Sequence, residues 1–356
     1  MGIIHVAEWK GIKVAIKEAS AHVITNEVEI YNRMRGFEGV VEFLGVTYPP
    51  GLDKLCIVTK YADNGSLSWH LKSAFHKLTW ANKLGLAAQI TSSIARLHQE
   101  GIYHRDLHGG NILIDDAGNA MLTDFGASTV TEERVVRSMD ELAIATQTTP
   151  EGKSKFVSDM LPNTTHDQKK QNLGSEDSKS AAVMALDVSN RTGSRRNSNS
   201  NHDDSKSNKG DPLIGVMAYI APERFRCPRH FDARCDIYSL GVLLWELTSG
   251  HAAFARLPQD VQLAVSILNS KRESPVEGTP EKYRQLYESC WSSDPEMRPS
   301  LAEILSTIEE VRQELTEEQL ATTRERGIIH NNSGADFEDS LSVPRPTSDY
   351  QNYVFT

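Results

Sequence analysis

An α+β fold is predicted for this chain, with a small, mainly antiparallel sheet first and a larger, mainly helical region after it. Two observations carry this. Short runs rich in Val, Ile and Leu crowd the first sixty positions, separated by turn residues. Later, apolar residues recur at helical spacing over Trp80–Gln99 and fill nearly every position from Ile237 to Leu247. Strands grouped before helices are the pattern of an α+β architecture.

The 356 residues suffice for one large domain or two smaller ones with a sizeable core. A net charge of −10 argues against nucleic acid or an anionic membrane as the main partner. Cys56, Cys227, Cys235 and Cys290 show no CxxC spacing, so neither zinc nor a disulfide framework is indicated, and reduced thiols in or near the core are expected. With no long apolar run and no signal peptide, the expectation is an intracellular, cytoplasmic chain without membrane insertion.

Residues 2–9 and 12–17 read as two strands around a Lys10-Gly11 turn. Val28, Ile30, Tyr31 and Met34 keep helical spacing over Thr25–Arg35, a helix that opens on polar Thr25-Asn26. Val40–Val46 and Leu55–Thr59 are apolar runs separated by Tyr48-Pro49-Pro50-Gly51, a turn signal. Ser66 suits the N-cap of the next helix. From Trp80 to Gln99, Leu84, Ala87, Ile90, Ile94 and Leu97 share one face, and Gly101 ends the helix. Residues 112–123 read as two short strands around a polar turn. Asp236 opens a helix that is apolar all round and therefore buried, and Ser300 caps a last helix to about Leu315.

Between about Thr131 and Asp211 the chain changes character, over a length that exceeds ordinary connections. Asn199–Lys209 is poor in apolar residues and is expected to be disordered, as is the tail from about Gly327. Val135–Leu142 is expected to form a transient helix within a fluctuating insert, with a docking helix the alternative.

The chemistry concentrates in His104-Arg105-Asp106-Leu107-His108-Gly109-Gly110-Asn111, followed thirteen residues after Asn111 by Asp124-Phe125-Gly126. Phosphoryl transfer needs a hydroxyl held in line and metal ions that neutralise charge on the phosphates. Asp106 suits a proton acceptor, while Asn111 and Asp124 are hard oxygen ligands for Mg²⁺. The hairpin between them would bring Asn111 and Asp124 to one edge.

These stretches resemble the catalytic segment of the eukaryotic protein kinase family, and Val14-Ala15-Ile16-Lys17, Ala221-Pro222-Glu223, Asp236 and Arg298 follow that family's order. The resemblance implies a bilobal protein kinase fold: a small lobe over 1–59, a hinge at 60–65 and a large lobe over 66–315. The insert of about 131–211 then lies in the activation segment, and 316–356 is a C-terminal tail. It implies that Lys17 holds the α- and β-phosphates of ATP, partnered by Glu27, with Glu29 the alternative. Gly2 matches the third glycine of the phosphate-covering loop, and Ile4 the apolar position after it. The first half of that loop would precede Met1, for which a truncated gene model or a fragment is the expected explanation. Adenine would lie between Ile4 and Ala15 above and Leu113 below, with Thr59 as gatekeeper. Asp236 would brace the backbone at His104-Arg105, and Arg298 would pair with Glu223. Arg105 would hold a phosphate on the activation segment, with Ser128, Thr129 and Thr131 as candidate hydroxyls. Arg195-Arg196-Asn197-Ser198 offers an upstream kinase a site, or is ordinary polar sequence.

The catalytic loop lacks the lysine two residues after the aspartate that is usual in serine/threonine kinases. It also lacks the arginine two or four residues after it that is usual in tyrosine kinases, and Val216 replaces the threonine that often partners that lysine. The surrounding pattern is most similar to the tyrosine-kinase-like group. The expected function is therefore ATP- and Mg²⁺-dependent phosphorylation of protein hydroxyls, serine or threonine first, with dual specificity open, in intracellular signalling. The alternative is a pseudokinase or truncated fragment that binds nucleotide or partners as a scaffold; intact Lys17, Asp106, Asn111 and Asp124 speak for catalysis.

Overall fold

A computed structural model of the chain describes residues 4–18, 21–48, 54–131, 215–228, 231–317 and 319. The readings for Gly2, for Pro49-Pro50-Gly51, for the insert after Thr131 and for the tail lie outside the described residues.

Strands β1 (Ile4–Trp9) and β2 (Ile12–Glu18) form a hairpin with Trp9 opposite Ile12. Its two turn residues, Lys10 and Gly11, have φ of 50° and 78°, the sign that matches a two-residue turn to the twist of its strands. With β3 (Phe43–Thr47) and β4 (Cys56–Lys60) they make an antiparallel sheet in the order β1-β2-β4-β3.

Helix α1 spans Ala21–Arg33, four residues ahead of the expected start. Thr25 and Asn26 thus lie inside it. Asn26 does not cap the helix; it donates from Nδ2 to the carbonyl of Ser128 at 2.8 Å, a partner 102 residues away. On its buried side, Tyr31 stacks on Phe43 at 5.2 Å and meets Phe125 edge-on at 5.0 Å. One aromatic side chain therefore joins helix, sheet and the Asp124-Phe125-Gly126 turn.

The remainder is mainly helical, as expected. Ser66 caps α2 (Leu67–Ala74), accepting from the Trp69 N–H at 3.3 Å. Helix α3 occupies Trp80–Gln99, with Gly101 at φ 69° just past its end. Four short strands follow: β5 (Ile102–Tyr103), β6 (Ile112–Ile114), β7 (Ala120–Leu122) and β8 (Thr129–Val130). β5 pairs with β8, and β6 with β7. After α4 (Pro222–Arg226) comes α5, Ala233–Ser249, buried without interruption from Cys235 to Thr248. It starts three residues before the expected Asp236, because Asp232 supplies the cap by accepting from the Arg234 N–H at 2.8 Å.

Helices α6 (Val261–Leu268), α7 (Glu281–Cys290) and α8 (Leu301–Glu314) complete the described residues, with Ser300 and Glu303 forming a capping box on α8. Gly241 lets α5 approach α7: a Cβ there would lie 2.7 Å from the Cβ of Cys290. Leu240, Leu243, Leu244 and Leu247 are fully enclosed, each contributing roughly 1.5–3 kcal/mol of burial. This makes α5 a rigid support for Asp236 in its first turn. All four cysteines are free thiols; Cys56, Cys235 and Cys290 are buried, whereas Cys227 is exposed and departs from the expected core location. Among the described residues no helix is long and apolar enough to cross a membrane.

Candidate active site

The loop that carries Asp106 is hung from α5. Asp236 accepts the backbone N–H of His104 at 2.9 Å on Oδ2 and that of Arg105 at 3.0 Å on Oδ1, and Nε2 of His98 lies 2.9 Å from Oδ2. These bonds hold Arg105 at φ 69°, a left-handed conformation that a non-glycine residue rarely adopts. Such a conformation persists only where its surroundings over-determine it.

Beyond Asp106 the chain turns back on itself. The Asn111 amide donates from Nδ2 to the Asp106 carbonyl at 2.9 Å and to its carboxylate at 3.2 Å. Both contacts use the nitrogen, which leaves the amide oxygen for another purpose. The β6–β7 hairpin pairs Ile112 with Leu122, and the Thr123 N–H reaches the Asn111 carbonyl at 3.0 Å. Asn111 and Asp124 therefore arrive at the same end of the hairpin.

Asp124 sits at φ 63° and receives the Gly126 N–H at 3.4 Å. Lys17, on β2, donates from Nζ to Asp124 Oδ1 at 2.6 Å and to the two oxygens of Glu27 at 3.0 and 3.1 Å. Of the two glutamates proposed for Lys17, Glu27 is thus the one in contact, and it is fully buried. Glu29 instead pairs with Arg33 one helical turn on. Burial works against the Lys17 ammonium, yet Asp124 and Glu27 outweigh it and raise its pKa. Burial likewise opposes ionisation of Asp124, but Lys17 pulls its pKa below the usual value. For Glu27 the balance is reversed: burial raises its pKa more than Lys17 lowers it.

The residues expected around adenine are spread along the sheet and the hairpin. Ala15 and Thr59 face each other in the β2–β4 register, Ile4 stands opposite Lys17 on β1, and Thr59 is buried while Ile4 is exposed. Leu113 reaches the segment after β4 through a bridge to Ser66, and the Ile114 N–H bonds to the Gly65 carbonyl at 2.9 Å.

Magnesium requires oxygen ligands in an octahedral shell and commonly takes only one or two from protein, the rest from phosphate and water. The spare amide oxygen of Asn111 and the Asp124 carboxylate fit that demand. Among the described residues no group of three or more His, Cys, Asp or Glu converges as a closed metal site.

Two features depart from the sequence reading. Arg224 places its guanidinium 5.1 Å from the Phe231 ring, and Arg105 places its own 5.5 Å from the same ring. Burial, then the nearby Arg105, lower the Arg224 pKa. The only available signal was a basic residue next to Glu223. The second feature is Ser128, offered above as a phosphate acceptor. It is buried and donates from Oγ to the His104 carbonyl at 3.0 Å, so that reading is withdrawn.

Residues 5–187 match the family model described as protein kinase domain. This chain belongs to the protein kinase family. A second match, described as protein tyrosine and serine/threonine kinase, covers residues 194–308 of the chain. It is 28% identical over 321 residues to the serine/threonine-protein kinase CTR1 of Arabidopsis thaliana, across 86% of this chain and 30% of that protein. It is 24% identical over 320 residues to a probable serine/threonine-protein kinase of Dictyostelium discoideum, across 87% of this chain and 26% of that protein. The chain thus spans about a quarter to a third of the length of these relatives. The family's phosphoryl donor is ATP.

Proposed function

We propose that the chain acts as an ATP- and Mg²⁺-dependent protein kinase of the tyrosine-kinase-like group that phosphorylates serine or threonine in intracellular signalling. The carrying observation is the pair of clusters joined by one hairpin, Lys17–Glu27–Asp124 and Asp106–Asn111. The small lobe is taken as 1–59, the hinge as 60–65 and the large lobe as 66–315.

In this reading Lys17 orients the α- and β-phosphates, and Glu27 keeps its ammonium in place. Ile4, Ala15, Thr59 and Leu113 border the adenine. Asn111 and Asp124 hold Mg²⁺, which neutralises phosphate charge. Asp106 orients the protein hydroxyl and accepts its proton as the oxygen bonds to the γ-phosphorus and ADP leaves. A scaffold without catalysis would not need the Asp106–Asn111 contact that aims the carboxylate.

The test is transfer of labelled γ-phosphate from ATP to mixed serine/threonine and tyrosine peptides. Serine/threonine incorporation is expected with Mg²⁺ and not with chelator, and Asp106→Asn is expected to lower it by roughly 10²–10⁴-fold. Wild-type transfer no greater than that of Asp106→Asn would favour the scaffold reading.

A further inference from the structure

We propose that Asn26 is a positioning residue, whose bond to the Ser128 carbonyl keeps Glu27 against Lys17 while Lys17 and Asp124 engage phosphate and metal. The proposal rests on the kinase reading above and adds to it a contact that touches neither nucleotide nor metal.

Ser128 is a fixed acceptor. Its N–H donates to the Phe125 carbonyl at 3.0 Å, and its hydroxyl donates to the His104 carbonyl at 3.0 Å. Its own carbonyl receives Asn26 Nδ2 at 2.8 Å. A carbonyl can only accept, so the Asn26 amide must present its nitrogen there. Each polar group of this buried residue thus has a partner: one in its own turn, one in the loop that carries Asp106 and one in α1.

Asn26 directly precedes Glu27, and Ser128 lies four residues after Asp124. Two links therefore join one turn of helix to one short segment. The first is ionic and runs from Glu27 through Lys17 to Asp124. The second is the neutral Asn26–Ser128 bond. Phosphates compete for the Lys17 ammonium and a metal for the Asp124 carboxylate, so bound nucleotide loosens the first link and leaves the second untouched. Burial disfavours the Glu27 carboxylate more than Lys17 supports it, which draws this end of the helix toward water.

The other half of α1 is held independently. Tyr31, one turn after Glu27, stacks on Phe43 and sets its hydroxyl 3.1 Å from Thr123 Oγ1. Loss of the Asn26 amide therefore leaves the helix docked at Tyr31 and frees the end that carries Glu27. Asn26 lies inside the helix, where alanine is the better helix former. A change to alanine thus removes a tertiary hydrogen bond without weakening the helix itself.

The test compares wild type with Asn26→Ala, Asn26→Asp, Glu27→Gln and the Asn26→Ala/Glu27→Gln double variant. Calorimetric titration with Mg²⁺ and a non-hydrolysable ATP analogue reads binding that uses Lys17, and titration with adenosine reads binding that does not. For Asn26→Ala the analogue is expected to bind roughly 3–10-fold more weakly, with adenosine within about twofold. Aspartate has the shape of asparagine but cannot donate, so Asn26→Asp should lose at least as much. The double variant should bind like Glu27→Gln alone, because Asn26 acts through Glu27. Without nucleotide, carboxyl NMR should show the raised Glu27 pKa moving down toward the usual value in Asn26→Ala, as the side chain meets water. Equal weakening of both ligands, wild-type affinity in Asn26→Asp, additive losses in the double variant or an unmoved Glu27 titration would overturn the proposal. Failure of wild type to bind either ligand would count against the kinase reading, while the Glu27 titration would still decide the role of Asn26.

Discussion

Arg298 donates from Nη1 and Nη2 to the two carboxylate oxygens of Glu223 at 2.7 and 2.8 Å, across 75 residues of chain. The guanidinium side chain is wholly shielded from water, and its other bonds run to the carbonyls of Ser292 and Arg234. Burial alone would raise the Glu223 pKa, but the hydrogen bonds and charge of Arg298 bring it below the usual value. A two-pronged, enclosed pair of this kind ties the start of α4 to the turn before α8.

Removing Arg298, whose side chain is wholly buried, leaves the partly buried Glu223 carboxylate without its cation and two carbonyls without their donor. Arg298→Ala is therefore expected to cost about 2–4 kcal/mol of stability. Arg298→Lys should recover only part, because an ammonium cannot make the fork. Urea denaturation of the three proteins checks this, and a loss below about 1 kcal/mol for alanine, the surface-pair range, would count against it.

Glu246 gives a pH dependence of definite sign. It accepts the Tyr219 hydroxyl at 2.6 Å and the Ala253 N–H at 2.8 Å, yet burial pushes its carboxyl up from 4.5 to about 7. A folded-state pKa above the unfolded one means that its contribution is complete below about 4.5 and is lost as pH rises to about 7. The loss is on the order of 3 kcal/mol. Glu246→Gln should remove this dependence, so that wild type loses melting temperature relative to the variant between pH 5 and pH 8. Parallel melting profiles for the two proteins would contradict the assignment.

Lys17→Met should leave Glu27 and Asp124 facing each other without a cation. ATP affinity is expected to fall by roughly tenfold or more, as a charge-assisted contact worth about 1.5–3 kcal/mol is removed. The Asp124 pKa should rise, since Lys17 is what holds it down. Nucleotide titration and carboxylate NMR check the two effects separately. Glu29→Gln, at a residue that contacts Arg33 instead, should leave nucleotide affinity unchanged.

Exchange of residues 132–209 for a short Gly/Ser linker is expected to preserve folding. On either side of them Thr131 is held through its N–H to the Gly101 carbonyl at 2.7 Å, and a Cβ at Gly215 would lie 3.5 Å from Asp106 Oδ1. Loop closure depends only on the logarithm of length, so stability should change by no more than about 2 kcal/mol. Basal phosphate transfer should persist. Thermal melting and phosphate incorporation measure both, and a large loss of either would make the segment part of the working domain.

Local pattern determined much of this molecule. The one-sided apolar spacing over Trp80–Gln99 located that helix to the residue, and the paired runs around the Lys10-Gly11 turn marked the first hairpin. The ordered motifs from Lys17 to Arg298 were enough to reach the family. Periodicity works for these because it encodes which face of an element meets the core. It does not encode which polar side chains meet across the chain. Thr25-Asn26 looked like a helix start, whereas Asn26 is taken by Ser128 on a distant turn. Glu27 and Glu29 stood as alternatives on one helix until the packing of α1 against β4 and the Asp124-Phe125-Gly126 turn set one toward Lys17 and the other toward Arg33. The burial of Ser128 and the gathering of Arg105 and Arg224 on one phenylalanine were likewise decided by tertiary packing. Hydrogen bonds and charges act over a few ångströms, and only the folded chain brings groups separated by tens of residues within that range.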